Sequence, residues 1–394
     1  MSKLTPIPYG RQTVTDEDIQ AVTEVLRSDF LTQGPKIAEF EEKFAAYVGA
    51  PYAVAVANGT AALHLALLGM GIGKGSRVIT TPITFVATAN AVLYAGGQVY
   101  FSDIDPQTFT LDLNRLENLL HRHPKGYFDA VIPVDLGGYP VPVDELAWLG
   151  EKYGFKILED ACHAPGAFIT DRKGNRIKTG SGQYIDAAAF SFHPVKHIAA
   201  GEGGMITTTK KEIYEKAKRL RTHGITKENL QYKHFPPEET GGWYYEIPEL
   251  GYNYRITDIH SALGISQLKR AEEGLKRRQA IADRYREALK DLPLQFQAEP
   301  ENGRHAYHLF IIRTGKRKEL YDYLRQNGIY AQVHYIPVHL LDIYSRFGWK
   351  KGDFPEAERY YAEALSLPMY PGLRDEQQEY VIHKVKEFFS EIVK

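Results

Sequence analysis

The chain has 394 residues, of which 43% are hydrophobic and 25% are charged, and its formal net charge at pH 7 is −1. This length suggests two or three domains, and the composition is ordinary for a globular protein. The near-zero charge argues against a nucleic-acid or anionic-membrane binder, and the single cysteine, Cys162, excludes a disulfide framework and a multi-cysteine metal site.

The first ten residues, "MSKLTPIPYG", contain no apolar core of a signal peptide. The most apolar stretch, "AALHLALLGMGIG", is interrupted by His64 and by glycines and is too short to span a bilayer. We therefore expect a soluble, cytoplasmic protein whose partners include neither a membrane nor a nucleic acid.

Seven short apolar runs between Tyr52 and Thr209 are typical of buried strands. In chain order they are "YAVAVA", "RVITT", "QVYFSD", "AVIPV", "KILED", "AAAFSF" and "GMITTT". Helical patterns such as "TAALHLALLGM", "TANAVLYAGG" and "VDELAWLGEKYG" separate several of these runs. Apolar strands that alternate with helices predict an α/β fold with a seven-stranded, mainly parallel sheet covered on both faces. The last two runs are joined only by a loop that contains Lys196.

The pattern changes after about residue 255. "ITDIHSALGISQLKRAEEGLKRRQAIADRYREAL" predicts one long amphipathic helix or two, followed by strand, helix and strand patterns in "HAYHLFIIR", "KELYDYLRQNG" and "YAQVHYIPV" and by a final helix in "EQQEYVIHKVKEFFSEIV". We predict a large domain over residues 15–255 and a smaller C-terminal α+β domain over residues 256–394. Residues 1–14 are expected to pack with the smaller domain, and the helix in "TDEDIQAVTEVLRSDF" is expected near it.

Polar and aromatic residues follow several of the predicted strands, at the edge where ligands bind in open α/β sheets. Asn58-Gly59-Thr60 follows the first strand, and Phe85 comes shortly after the second. The fifth strand ends at Asp160, two residues before Cys162 and three before His163, and the sixth ends near Ser191, with His193 and Lys196 directly after it. One lysine, one carboxylate and one aromatic ring are therefore expected to converge on one edge.

Each of these features also has a simpler explanation. A lysine is most often a surface residue, Asp160 could cap a helix, "NGTAA" could be a plain helix N-cap, and Cys162 is more simply a small packing residue. His193 and His197 have the spacing of a zinc peptidase pair but lack its glutamate, so no metal is expected. "GMGIGKGSR" lacks the spacing of a phosphate-binding P-loop, and the first strand–helix turn lacks G-x-G-x-x-G, which argues against a nicotinamide enzyme.

Together the strand-end residues suit pyridoxal 5'-phosphate. Lys196 would form an imine with its aldehyde, and Asp160 would keep its ring nitrogen protonated. The helix N-terminus at Thr60 would hold the phosphate. Phe85 could cover one face of the ring, and His163 could hydrogen-bond the phenolic oxygen.

The sequence also resembles the DegT/DnrJ/EryC/StrS family of sugar aminotransferases, which are fold-type I pyridoxal-phosphate enzymes. The motifs that carry this resemblance lie in order along nearly the whole chain: "SDFLTQGP" with "FEEKFAAYVG", "ANGTAALHLAL", "TPITFVATANAV", "LEDACHAPGA", "SFHPVKHIAAGEGG", "GYNYRITDIHSALG" and "VHYIPVH". The resemblance implies a homodimer with shared active sites, in which Lys196, Asp160 and His163 are catalytic. It assigns the phosphate to Thr60, Ala61, Ser191 and Asn253 of the partner subunit, and the ring to Phe85. It assigns the nucleotide sugar to Asp29, Phe30, Leu31, His334, Tyr335 and Arg255 of the partner subunit.

"IPYGRQTV", "WYYEIPELGYNYRITDIH" and "QVHYIPVH" are most similar to the branch of the family that acts in pseudaminic acid synthesis. This similarity implies transfer of an amino group from L-glutamate to C4 of a UDP-linked 4-keto-6-deoxy-N-acetylhexosamine by a ping-pong reaction. A transaminase for another nucleotide-linked 4-keto or 3-keto sugar is the alternative. A sugar dehydrase of the same family would carry histidine in place of Lys196. Asp135 stands where many members of the family have histidine.

Overall fold

The computed structural model describes residues 6–392. Its strands are β1 Ile7–Pro8, β2 Tyr52–Val56, β3 Arg77–Thr80, β4 Gln98–Phe101, β5 Ala130–Ile132, β6 Lys156–Asp160, β7 Phe168–Thr170, β8 Arg176–Lys178, β9 Ala187–Ser191, β10 Gly204–Thr208, β11 Gln295–Phe296, β12 Phe310–Arg313, β13 Ile329–Tyr330 and β14 Ala364–Leu367. Its α-helices are α1 Asp16–Leu26, α2 Pro35–Val48, α3 Gly59–Gly69, α4 Val86–Tyr94, α5 Leu113–Leu120, α6 Val143–Tyr153, α7 Lys211–Leu220, α8 Asp258–Leu268, α9 Ala271–Leu289, α10 Arg317–Gln326, α11 Asp342–Ser345, α12 Pro355–Glu363 and α13 Asp375–Ile392.

The central sheet contains all seven strands predicted from the apolar runs, in the order β2-β10-β9-β6-β5-β3-β4. β10 is antiparallel to both of its neighbours, and the other pairs are parallel. Successive residues of a strand point to opposite faces, and each face packs in a separate apolar core. Val54 and Val78 lie in the core formed with α3, α4 and α7, whereas Ala55 and Ile79 lie in the core formed with α2, α5 and α6. The predicted α/β class with a mainly parallel seven-stranded sheet is confirmed.

This topology brings the predicted site residues to one edge. Asp160 is in register with Ala189 on the parallel strand β9, and Ser191 at the end of β9 is opposite Gly204 at the start of β10. The chain between Ser191 and Gly204 therefore loops over the carboxyl ends of β6 and β9. β9 and β10 are antiparallel neighbours joined by this loop without a crossover helix, and the loop carries Lys196.

The C-terminal part of the chain has its own three-stranded antiparallel sheet, in the order β11-β12-β14, which packs with α9, α10 and α13. β1 pairs in parallel with β13, so the segment that begins at Ile7 is fixed to this part of the molecule. Residues 1–14 were predicted to pack here, and residues 1–5 of that range lie outside the described residues. The division into domains at residue 255 stays a prediction.

The structure decides between the two alternatives predicted for the long amphipathic pattern, and it differs in part from the strand predicted after it. The long amphipathic pattern is two helices, and the first of them, α8, shares the core of α2 through Ile265 and Phe40. The strand expected over "YAQVHYIPV" is regular only at its start, in Ile329–Tyr330. It continues as a single antiparallel bridge between Gln332 and Ser366 of β14, and His334 and Tyr335 then enter a cavity. Packing in that cavity overrides the strand pattern.

Within residues 6–392, we find no helix with the length and apolar character that a membrane crossing requires.

Candidate active site

A cavity of about 480 Å³ opens at the carboxyl edge of the central sheet. This volume is in the range of small-molecule sites. Eight of the residues predicted for the site line it: Thr60, Phe85, Asp160, His163, Ser191, Lys196, His334 and Tyr335. The structure thus brings together residues that are up to 275 positions apart in the chain because the strand ends and the C-terminal segment meet here.

Lys196 is half-buried at the base of this cavity. Burial, which disfavours the charged amine, lowers its pKa from 10.5 to about 8, against the opposing effect of the nearby Asp160 carboxylate. Its Nζ lies 3.4 Å from Nε2 of His308. The amine is therefore neutral in a larger fraction of molecules than an ordinary lysine, as a nucleophile must be.

Asp160 is held at the end of β6 by two donors. Its Oδ2 accepts a hydrogen bond of 2.6 Å from the Thr88 hydroxyl, and its Oδ1 accepts one of 3.2 Å from the backbone N–H of Cys162. The carboxylate is only 6% exposed. These contacts fix the direction in which the carboxylate faces the cavity.

A backbone N–H from a distant loop orients the His163 ring. The N–H of Gly137 donates to its Nδ1 at 3.2 Å, so the neutral ring carries its proton on Nε2. Nε2 lies 3.3 Å from the Tyr335 hydroxyl, on the cavity side. Burial, followed by the charge of Lys196, keeps the pKa of His163 well below its usual value. His163 is thus a neutral hydrogen-bond donor at this position.

The start of α3 forms one wall of the cavity. Asn58 caps this helix: its Oδ1 accepts from the N–H of Ala61 at 2.9 Å. Ala61, which the resemblance assigned to the phosphate, therefore has its N–H occupied, whereas Thr60 and Ser191 line the cavity. A Cβ on Gly59 would lie 2.9 Å from Cβ of Ser191, so only glycine allows this close approach of α3 to β9. The positive end of the helix dipole faces the cavity, which favours an anion there.

Aromatic rings form the opposite wall. Phe85 precedes α4 and is 56% exposed at the cavity, with its ring centroid 5.8 Å from that of Tyr335. His334 donates to or accepts from Ser366 at 2.9 Å and lies 5.0 Å, between ring centroids, from Tyr9. A flat ring could be covered by Phe85 while its edges meet Asp160 and His163.

Besides Ala61, five predicted residues do not line this cavity within one chain. Asp29, Phe30 and Leu31 are exposed in the turn after α1. Asn253 is exposed on the loop that forms a bridge with Thr222, and Arg255 lines a different depression, beside Gly34 and Arg221. Their assigned contacts with cofactor and substrate stay predictions.

Sequence reasoning missed several residues of the site. Thr88, Tyr9 and His308 contact the predicted residues directly, but none of them was predicted, although Thr88 and Tyr9 lie inside quoted motifs. Thr88 could have been suspected, since it follows Phe85 by three positions and hence lies on the first turn of the same helix. No signal in the sequence connects His308, 112 residues away, with Lys196.

The arrangement fits pyridoxal phosphate on the structure's own features. One cavity is lined by Lys196 with its lowered pKa, by the fixed carboxylate of Asp160 and by the oriented N–H of His163. The N-terminus of α3 forms a wall of the same cavity. These are the partners required by the aldehyde, the ring nitrogen, the phenolic oxygen and the phosphate of that cofactor.

Comparisons with known proteins agree with this geometry. The sequence profile of the DegT/DnrJ/EryC1/StrS aminotransferase family matches residues 12–386. The chain is 40% identical to the spore coat polysaccharide biosynthesis protein SpsC of Bacillus subtilis, over 97% of this chain and 96% of that protein. It is 35% identical to the UDP-4-amino-4,6-dideoxy-N-acetyl-beta-L-altrosamine transaminase of Campylobacter jejuni, over 95% of both chains.

Among solved structures, PseC of Helicobacter pylori, an aminotransferase of pseudaminic acid biosynthesis, superposes with a TM-score of 0.87 at 30% identity, covering 98% of this chain and all of that one. Aminotransferases of the matched family use pyridoxal phosphate as cofactor. The chain therefore belongs to the DegT/DnrJ/EryC1/StrS aminotransferase family and is a pyridoxal-phosphate-dependent sugar aminotransferase.

Proposed function

We propose that the enzyme transfers the amino group of L-glutamate to C4 of a UDP-linked 4-keto-6-deoxy-N-acetylhexosamine, leaving 2-oxoglutarate. The observation that carries this proposal is the 35% identity, over 95% of both chains, to a transaminase that is named for such a sugar. The 30% identity to PseC supports the same choice. The pathway in which we place the reaction is pseudaminic acid synthesis, in the cytoplasm.

Pyridoxal phosphate supplies an electron-withdrawing ring that takes up the amino group from one substrate and passes it to the other. Lys196, Asp160 and His163 are proposed as the catalytic residues. Asp160 holds a proton on the ring nitrogen, and its bond from Thr88 keeps the carboxylate aimed in one direction. His163 donates from Nε2 to the phenolic oxygen, which the bond from Gly137 makes possible.

Lys196 has the second role of moving a proton. With the cofactor bound, its Nζ would take a proton from the carbon of the donor and return it to the cofactor, and it would do the reverse at C4 of the sugar. A pKa of about 8 suits this task because the amine can both accept and release a proton near neutral pH. Burial excludes water that would compete for the same proton.

We further propose that the active site is shared across a homodimer. Thr60 and Ser191 would hold the cofactor phosphate together with Asn253 of the partner subunit. The exposed positions of Asn253 and of Phe30 on one chain support this proposal, because neither reaches the cavity of its own subunit. The nucleotide sugar would contact Asp29, Phe30, Leu31, His334, Tyr335 and Arg255 of the partner subunit.

Transamination of a different nucleotide-linked 4-keto or 3-keto sugar is the second candidate. The 40% identity to a protein of spore coat polysaccharide biosynthesis favours it, because that relative is named for a spore coat polysaccharide and not for an altrosamine. A dehydrase is less favoured, since Lys196 is present and its pKa is lowered.

Product analysis separates these candidates. Holoenzyme is supplied with glutamate and, in parallel, UDP- and dTDP-linked 4-keto sugars, and the products are identified by mass spectrometry and NMR. We expect an amino group at C4 of the UDP-linked sugar and no product with Lys196→Ala. An amino group at C3, or a clear preference for a dTDP sugar, would refute the C4 UDP-sugar assignment.

Subunit mixing tests the shared site. An Asn253→Ala chain mixed with a Lys196→Ala chain is expected to recover part of the activity, because heterodimers then contain one intact site. Activity that stays at the level of the two parent variants after verified subunit exchange would refute the sharing.

A further inference from the structure

A second cavity of about 400 Å³ lies next to the first and has no role in the mechanism above. Lys196 lines both cavities, so they meet at the loop that carries this lysine. The other walls come from residues 11–15, from residues 267–278 at the junction of α8 and α9, and from Pro371 and Gly372.

The walls of this second cavity are strongly cationic. Besides Lys196, four arginines line it: Arg11, Arg270, Arg277 and Arg278. Glu273 is the only acidic residue among the described lining residues. Two of these arginines have carboxylate partners. Arg270 pairs with Asp18 at 2.9 Å, and Arg277 pairs with Asp375 at 2.6 Å.

Arg278 is the buried cation of the cavity. It is 2% exposed, and its hydrogen bonds, to the carbonyl oxygens of Tyr307, His308 and Met369 at 3.0–3.3 Å, all use Nη1. Its Nε is buried without a partner among the described residues. Nε belongs to the edge of the guanidinium that holds a carboxylate through two parallel hydrogen bonds. A buried donor left without a partner is costly, which points to a ligand that is bound there in the working enzyme.

Arg11 is the exposed cation of the cavity. It forms neither an ion pair nor a hydrogen bond with any residue in the 6–392 range. The second cavity therefore has one unpaired cationic group at its buried end and another at its exposed end.

Within one chain, the first cavity offers no such partners. No arginine is among the described residues that line it, and Lys196 is its only lysine. The amino donor proposed above, glutamate, carries two carboxylates, and burial of a carboxylate without a cation is strongly unfavourable.

We propose that the second cavity binds a small dicarboxylate of the donor class, glutamate or its keto-acid product, with one carboxylate on Arg278 and the other on Arg11. This proposal rests on the transaminase function proposed above. The position of the cavity beside Lys196 brings the donor to the residue that moves its proton.

Glutarate is the probe, because it has both carboxylates and no amino group to react. Its affinity for the holoenzyme is measured by calorimetry for the wild type and for Arg11→Gln, with Arg122→Gln as the matched control, since Arg122 is an exposed arginine outside the cavity. We expect Arg11→Gln to weaken glutarate binding by about tenfold, the value of a charge-assisted hydrogen bond. Arg122→Gln should leave the affinity unchanged. Arg278→Lys keeps the charge but loses the planar edge, and we expect at least as large an effect.

The two half-reactions then test whether the site serves the donor. In single turnovers, Arg11→Gln should raise the glutamate concentration for half-maximal rate by the same factor and leave the half-reaction with the sugar unchanged. Equal glutarate affinities in the wild type, Arg11→Gln and Arg278→Lys would overturn the proposal. The proposal would also be overturned if UDP displaced glutarate and Arg11→Gln slowed the half-reaction with the sugar while its use of glutamate stayed unchanged. If no keto sugar is aminated at all, the transaminase proposal fails, while glutarate binding still decides whether the anion site exists.

Discussion

The lowered pKa of Lys196 makes a prediction that can be tested without any substrate. Burial lowers this pKa from 10.5 to about 8. At pH 7.5 about a quarter of the Lys196 side chains are then neutral, against about one in a thousand for a lysine with an ordinary pKa. The difference is roughly 200-fold in the concentration of reactive amine, and it corresponds to about 3 kcal/mol between the two protonation states.

The assay is competitive acylation of the cofactor-free protein over pH 6–11. An amine-selective anhydride is used at trace concentration, and modification of each lysine is measured by peptide mass spectrometry. We expect the labelling of Lys196 to rise with a midpoint near pH 8, whereas the exposed Lys74 serves as the internal reference for the reagent. The midpoint reports protonation, so limited access to Lys196 lowers its plateau without moving the midpoint.

A variant tests the electrostatic part of the argument. The Asp160 carboxylate opposes the effect of burial and holds the pKa of Lys196 higher than burial alone would. Asp160→Asn should therefore move the midpoint below that of the wild type. A midpoint near that of Lys74 in the wild type, or an upward shift in Asp160→Asn, would refute the reasoning.

Three further predictions concern the surroundings of the site. Thr88→Val removes the hydroxyl that donates to Asp160 and should lower kcat/KM by about tenfold while Thr88→Ser retains most activity, as measured by steady-state kinetics; equal values for Thr88→Val and the wild type would contradict this role. Gly59→Ala places a Cβ 2.9 Å from Cβ of Ser191 and should weaken cofactor binding, measured by titration of the cofactor-free protein, whereas Gly242→Ala, where the added Cβ has no neighbour within 4 Å, should not. Burial raises the pKa of Asp135 well above 3.8, so this carboxyl keeps its proton in the folded state. The unfolded state releases that proton above about pH 4, and the free energy of unfolding therefore falls as the pH rises. In thermal melts Asp135→Asn should be more stable than the wild type at high pH, and the difference should vanish at low pH.

The sheet could be predicted because its strands are short apolar runs between turn residues, and all seven lie where those runs are. The convergence of Asp160, Ser191 and Lys196 follows from the same rule, since parallel strands end at one edge. The strand expected over residues 330–338 forms only in part: one bridge joins Gln332 to Ser366, and His334 and Tyr335 line a cavity instead. Local β propensity carries no information on such long-range packing.

The contacts of Lys196 with the C-terminal part of the chain could not be predicted. His308 and Arg278 lie near it only because the C-terminal sheet and α9 pack against the large sheet, and no periodic pattern encodes that packing. The same holds for Gly137, whose N–H orients His163 from a loop with no recognisable motif. Sequence patterns thus identify the candidate reactive groups but not the residues that orient them.

Three histidines near Lys196 do not titrate together with its amine. Burial keeps the pKa of His308 and of His163 well below the usual value, and it lowers that of His334 to about 3. The charge of Lys196 acts in the same direction on all three. Since none of these rings becomes protonated between pH 6 and pH 8, a loss of activity on acidification in this range belongs to Lys196 or to the buried Glu159, whose pKa is raised to about 7 by burial, and not to the histidines. Replacement of His308 by Gln, which cannot titrate, should therefore leave the acidic limb of the pH–rate profile in place, and a limb that disappears in His308→Gln would show that the histidine sets it.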